Sequence, residues 1–169
     1  TDTPQGQEIH AGDEGPRRGR EKRYVWHSLG GDAGAREEDE FYPDVPRREV
    51  VAQFGQPPRR VLEIGCATGA TGAHLKSLYP GAWVAGIELS EAAANVARGR
   101  MDLVVSAKFE DAALESLGIG PGSIDTVIVA DVLEHMYDPW SALVRLKPYL
   151  TADAQVIAYN TPPHAESPP

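Results

Sequence analysis

The segment Val61-Leu-Glu-Ile-Gly-Cys-Ala-Thr-Gly-Ala-Thr-Gly72 limits the fold more than any other stretch of the chain. An apolar run stops at Gly65, glycines recur at 69 and 72, and helix-forming residues follow. Read as strand, turn and helix, the segment carries no side chains where the backbone bends, and glycine alone bends freely there. The start of the helix offers unpaired N–H groups and the positive end of its dipole to whatever lies in the turn. Such a turn suits a nucleotide-like ligand lying against the peptide groups. The remaining sequence repeats the alternation. Strands are expected over 60–64, 83–87, 103–106, 124–130 and 155–159, with helices over 44–54, 70–78, 90–98, 112–117 and 140–150. Asp44 and Ser90 suit N-caps, Pro46 a first turn and Gly55 a helix end. Strands alternating with helices imply right-handed crossovers. The expected class is therefore α/β, a doubly wound Rossmann-like, mostly parallel sheet, with 124–130 as a central strand because it is almost wholly apolar.

At 169 residues, one domain is expected. Residues 1–40 are polar and charged, which predicts a flexible arm ahead of a folded domain over 41–169. Tyr24, Val25, Trp26 and Leu29 form an apolar island in that arm, suited to docking. A formal charge of -9 opposes broad binding to nucleic acid or anionic membranes, and the basic run 16–23 reads as a solvated arm. No apolar run has the length of a membrane span, and the start does not read as a signal peptide. The single cysteine, Cys66, has no partner for an internal disulfide, which fits a cytoplasmic protein. It sits in the glycine turn without an evident base, so it reads as a small buried residue of the turn rather than a catalytic thiol.

In a doubly wound sheet, ligands bind beyond the carboxyl ends of the strands. Glu63 stands two residues before Gly65, where it repels a pyrophosphate and attracts a cation such as an ammonium group. The glycine spacing, G-x-x-x-G-x-x-G, also departs from the G-x-G-x-x-G of nicotinamide-dinucleotide sites. Glu88, followed by Leu89, ends the second strand where an acidic residue accepts hydrogen bonds from ribose hydroxyls. Beyond the third strand lie Phe109, Glu110 and Asp111; Phe109 suits either the core or a base-stacking position. The fourth strand ends Ala130-Asp-Val-Leu-Glu-His135, followed by Asp138-Pro139, which clusters titratable groups beside the expected site.

The turn at 63–69 resembles the first motif of the class I S-adenosylmethionine-dependent methyltransferases, E-x-G-x-G-x-G, departing from it at Ala67. The string Asp131-Val-Leu-Glu-His135 closely resembles the motif after the fourth strand in a bacterial, small-molecule subgroup of the same family. The resemblance spans 45–163 and implies S-adenosyl-L-methionine as cofactor, held by Glu63, Gly65, Cys66, Ala67, Gly69, Glu88, Leu89, Ala130 and Asp131. The family's adenine contact falls near 107–108, where this chain has no acid, so Glu110 or Asp111 is expected to replace it, with helix-capping by Asp111 as the alternative. The implied reaction is methyl transfer to an oxygen or nitrogen of a small-molecule acceptor. His135 is the candidate base, since an imidazole's ordinary pKa of about 6.5 suits that task. Its alternative is a loop-holding role shared with Glu134. Asp131, Glu134 and His135, with His164, resemble the Glu-x-x-Glu-His metal site of RNA 2′-O-methyltransferases, but the first residue differs and the net charge opposes RNA, so no metal is expected. The family has seven strands and five are legible here, so the sheet is expected to lack the last two. Two other readings stay open: a non-catalytic cofactor-binding protein and a nicotinamide-dependent oxidoreductase.

Overall fold

A computed structural model describes Tyr42 and residues 44–161. The arm, its aromatic island, the basic run and His164 lie outside the described residues. The chain folds in the order α1 (Arg48–Val51), β1 (Arg60–Ile64), α2 (Ala70–Leu78), β2 (Trp83–Glu88), α3 (Glu91–Ala97), β3 (Leu103–Ser106), β4 (Ile124–Ala130), α4 (Pro139–Leu146) and β5 (Leu150–Tyr159). The five strands form one sheet in the order β3-β2-β1-β4-β5. Every pair is parallel. Strand order reverses between β1 and β4, which puts the carboxyl ends of those strands at the switch point where doubly wound sheets bind ligands.

Alternation along each strand divides the core. Leu62, Ile64, Ile87, Val127 and Val129 pack with Phe109, Leu114 and Leu146 on one face. Val61, Val84 and Ile128 pack with Val50, Leu75, Ala97 and Met101 on the other. At the amino end of the sheet the buried Asp125 accepts hydrogen bonds from the backbone N–H groups of Arg59 and Arg60 and from the Thr126 hydroxyl. That bond set fastens the start of β4 to the start of β1 and satisfies a carboxylate that burial would otherwise penalise.

The first helix is shorter than the 44–54 expected. It makes a single turn, with no side-chain cap. Asp44 is drawn away from capping: its carboxylate takes the Thr68 hydroxyl at 2.9 Å and the Arg100 guanidinium. Ser90 does cap α3, accepting from the Ala93 N–H. The helix expected over 112–117 is instead two 3-10 turns, Phe109–Asp111 and Leu114–Leu117, the second closed by Gly118 at a φ of 74°. The α4 helix gives way to a 3-10 turn at Lys147–Tyr149, where Pro148 lacks the N–H a further helical turn needs. The β5 strand begins earlier than expected because Leu150 pairs with Ile124 before an irregularity that restores register at Thr126 and Gln155.

One side chain sets much of the α2 packing. A Cβ added at Gly69, Gly72 or Gly86 would come within 3.1 Å of an atom of Met101. Its side chain fills the gap at Gly72 and shares those at Gly69 and Gly86 with Ala97 and Cys66, a use that suits methionine's flexibility.

Candidate functional site

The carboxyl ends of β1, β2 and β4 meet around the glycine turn. Gly65 follows β1 at a φ of 75°, and Ala67 holds a φ of 48° without being glycine. The N–H groups of Gly65 and Cys66 both donate to the Ile87 carbonyl. Glu88 sets the far side of the turn: its Oε2 accepts from the Ala67 N–H at 2.8 Å, and its Oε1 from the Ser90 N–H at 2.9 Å. The Tyr42 hydroxyl donates to the same Oε1 at 3.3 Å. A carboxylate has roughly four acceptor positions. The two shorter bonds shape the turn, and the tyrosine bond is the longest of the three.

Glu63 lies at the floor of the site. It is 4% exposed, and its Oε2 has no hydrogen-bond partner among the described residues. Burial first, then the neighbouring Glu88 charge, push its carboxyl up to about 8, against the opposing influence of Arg47 and a hydrogen bond from Thr71. Cys66 is buried beside both carboxylates. Burial first, then the neighbouring Glu63 and Glu88 carboxyls, push its thiol well above its ordinary range, so the sulfur is no nucleophile near neutrality.

Across the mouth runs a clasp that sequence patterns did not reveal. Arg47, just before α1, pairs with Glu49 at 2.7 Å and with the Asp131 carboxylate at 2.5 Å. It also lies 5.5 Å from the Tyr159 ring centroid and donates to the Thr161 hydroxyl. Asp131, at a φ of 53°, accepts from the Thr161 N–H and hydroxyl, while its own N–H donates to the Tyr159 carbonyl. Burial raises the Asp131 carboxyl, but the Thr161 and Arg47 bonds prevail and hold it below its ordinary value. The partners are separated by 84 and 30 residues in the chain, beyond the reach of any local motif.

The glycines have a second meaning. A Cβ at Gly65 would lie 2.3 Å from Val132 Cγ2, and those at Gly69 and Gly72 would strike Ala97 and Met101. Protein atoms fill these spaces, so the glycines are demanded by packing as well as by any approach of a ligand. Ala130 and Leu89 are half-buried at the ends of β4 and β2. Phe109 is buried, with the Arg145 guanidinium 5.3 Å from its ring centroid, so it belongs to the core. Glu110 and Asp111 are exposed on the 3-10 turn after β3, and neither caps a turn. His135 ends the 3-10 turn Leu133–His135, its Nε2 3.9 Å from Glu134. Among the described residues no group of acidic, histidine or cysteine side chains is arranged to hold a metal ion.

The site's charges fit one class of ligand. Glu63 offers a buried carboxyl oxygen with no hydrogen-bond partner among the described residues, and the buried Glu88 stands beside it, a pair whose chemistry fits a cationic amine with hydroxyls better than a pyrophosphate. Residues 62–156 match the family model described as Methyltransferase domain. A ubiquinone biosynthesis O-methyltransferase of Cupriavidus pinatubonensis is 37% identical over 89 residues, covering 52% of this chain and 35% of its own length. An O-methyltransferase of Penicillium expansum is 29% identical over 130 residues, covering 75% of this chain and 47% of its own. The chain thus spans less than half the length of these curated relatives. Among solved structures, the plantazolicin methyltransferase BpumL, in complex with S-adenosylhomocysteine, superposes with a TM-score of 0.55 at 19% identity, over 66% of this chain and 42% of that one. An S-adenosylmethionine-dependent methyltransferase from Aquifex aeolicus does so with a TM-score of 0.54 at 17% identity, over 68% of this chain and 64% of that one.

Proposed function

This chain belongs to the methyltransferase domain family, in its class I S-adenosylmethionine-dependent form, and on that premise we propose that it transfers a methyl group from S-adenosylmethionine to an oxygen or nitrogen of a small molecule. The observation that carries the reading is Glu63: a buried carboxylate with an unpartnered oxygen, at the head of the glycine turn. When bound, S-adenosylmethionine supplies an electrophilic methyl group. Glu63 receives the amino end of its methionine portion, and Glu88 the ribose hydroxyls. The turn 65–69 supports the middle of the molecule, with Ala130 and Leu89 at its borders. His135, on the turn after β4, takes the proton of a hydroxyl acceptor. Asp131 spends its carboxylate on Arg47 and Thr161, so its part is to hold the rim.

An oxygen acceptor is favoured by the names of the two relatives, both O-methyltransferases. A small acceptor is favoured over nucleic acid by the net charge of -9. No described helix is long and apolar enough to cross a membrane. The lone cysteine supports a reducing compartment such as the cytoplasm.

Calorimetry with S-adenosylhomocysteine and with nicotinamide dinucleotide tests the cofactor. The expected result is binding of the first alone, with Glu88→Ala weakening it by about 1–3 kcal/mol, the cost of losing hydrogen bonds to a charged group. Tighter binding of the dinucleotide overturns the reading. A panel of phenols and amines with labelled S-adenosylmethionine then tests transfer. With a hydroxyl acceptor, His135→Ala should slow turnover by about a hundred- to ten-thousand-fold and leave cofactor affinity within a few-fold. Full activity in that variant assigns His135 to loop structure.

A further inference from the structure

We propose that Glu63 carries a proton in the free protein and gives it up when the cationic amine of the cofactor enters, so that each binding event releases one proton to solvent. The inference rests on the cofactor reading above and concerns the state of the site before the ligand arrives.

Geometry supplies the case. Glu63 is paired in register with Gly86, so Glu88 stands two residues further along β2 and on the same face of the sheet. Ionising both would place like charges in a region with little water, and Glu88 is already committed as an acceptor by the N–H groups of Ala67 and Ser90. The cation that faces Glu63 is Arg47, and its guanidinium is taken up by Glu49 and Asp131. From α2 the Thr71 hydroxyl faces Glu63; its oxygen already accepts from the Arg47 N–H, which leaves its proton to donate. From the turn comes the Cys66 thiol, a neutral group, and along β4 the partner of Glu63 is Ile128. Among the described residues no neighbour offers Glu63 an uncommitted positive charge, and one of its oxygens meets no donor. A buried carboxyl in these surroundings favours the neutral form, and burial and Glu88 push it up to about 8. An ammonium group beside that oxygen reverses the balance: the O–H bond of Glu63 breaks, the proton leaves to solvent, and the carboxylate remains against the ammonium.

The experiment has two arms. In the free protein, NMR of ¹³Cδ-labelled glutamate should show one carboxyl titrating at about 8 and missing from Glu63→Gln. Calorimetry of S-adenosylhomocysteine, in two buffers of different ionisation enthalpy, should return close to one proton released per molecule bound by the native protein at pH 7 and about half of one at pH 8, while Glu63→Gln binds more weakly. Native affinity should also rise about tenfold per pH unit from 6 to 7 and level off above 8, because only the ionised carboxylate binds the cation. An ordinary Glu63 titration together with intact binding overturns the proton release alone. A native protein that takes up no S-adenosylhomocysteine overturns the cofactor reading and the proton release with it.

Discussion

Gly65 is held from two sides. Its φ of 75° suits a residue without a Cβ, and Val132 occupies the space where a Cβ would go. Gly65→Ala should cost about 1–2 kcal/mol in backbone strain and about 1–3 kcal/mol in overpacking. Trimming the obstacle separates the two. In a cycle with Val132→Ala, urea unfolding should show the double variant less destabilised than the sum of the singles, by about 0.5–3 kcal/mol. Strict additivity would place the whole cost in the backbone. A side chain at 65 therefore tests packing before it tests ligand binding. Asp131 yields a second prediction at this scale. Its carboxyl is held low in the fold, so the stability it brings is present above the ordinary carboxylate range and lost as pH falls through its lower folded value. The gap in Tm between native protein and Asp131→Asn should accordingly be open at pH 6 and close toward pH 2.

Among the elements, α4 shows how one helix serves two environments. Leu146 is 1% exposed in the core, while Trp140 and Val144 are 77% and 68% exposed on the outer side. Leu146→Ala should cost about 2–5 kcal/mol, and Val144→Ala no more than about 0.5 kcal/mol, as measured by denaturant unfolding. Equal costs would mean that the outer face is covered in solution. Legibility follows the same division between local and distant causes. The bounds of β1, β3 and β4 and the Ser90 cap were readable because apolar runs and capping chemistry act within a few residues. Asp44 also looked like a cap, but its partners Thr68 and Arg100 are far off in sequence, and the helix shrank to one turn. The start of β5 is not legible in the sequence because its pairing with Ile124 precedes a break in register. For the site, the glycine turn, Glu63 and Glu88 stood out by spacing alone. Arg47, Thr71, Tyr42 and Thr161 did not, since each gains its place only when distant strand ends converge.

For the molecule as a whole, the buried Glu63 makes stability depend on pH in an unusual direction. A carboxyl raised from 4.5 to about 8 binds more protons folded than unfolded between those values. The stability it contributes is full below the lower value, drains away as pH rises toward the upper one, and is constant beyond it. Glu63→Gln removes the titration. Thermal melts should show the variant gaining on the native protein steadily from pH 5 to pH 8, with no further change at pH 9. A gap in Tm that stays constant across that range would mean the native protein already holds the charge in comfort.

Met101 has a consequence for the history open to this sequence. One methionine side chain borders the room left by Gly69 in the turn before α2, Gly72 in α2 and Gly86 in β2. The three positions are not equally bound to it: an added Cβ at Gly72 meets Met101 alone among its nearest atoms, whereas one at Gly69 also meets Ala97 and one at Gly86 also meets Cys66. Descent through single substitutions therefore has a permitted order at 72, where a smaller residue at 101 must come first, while 69 and 86 stay closed until a second neighbour also gives way.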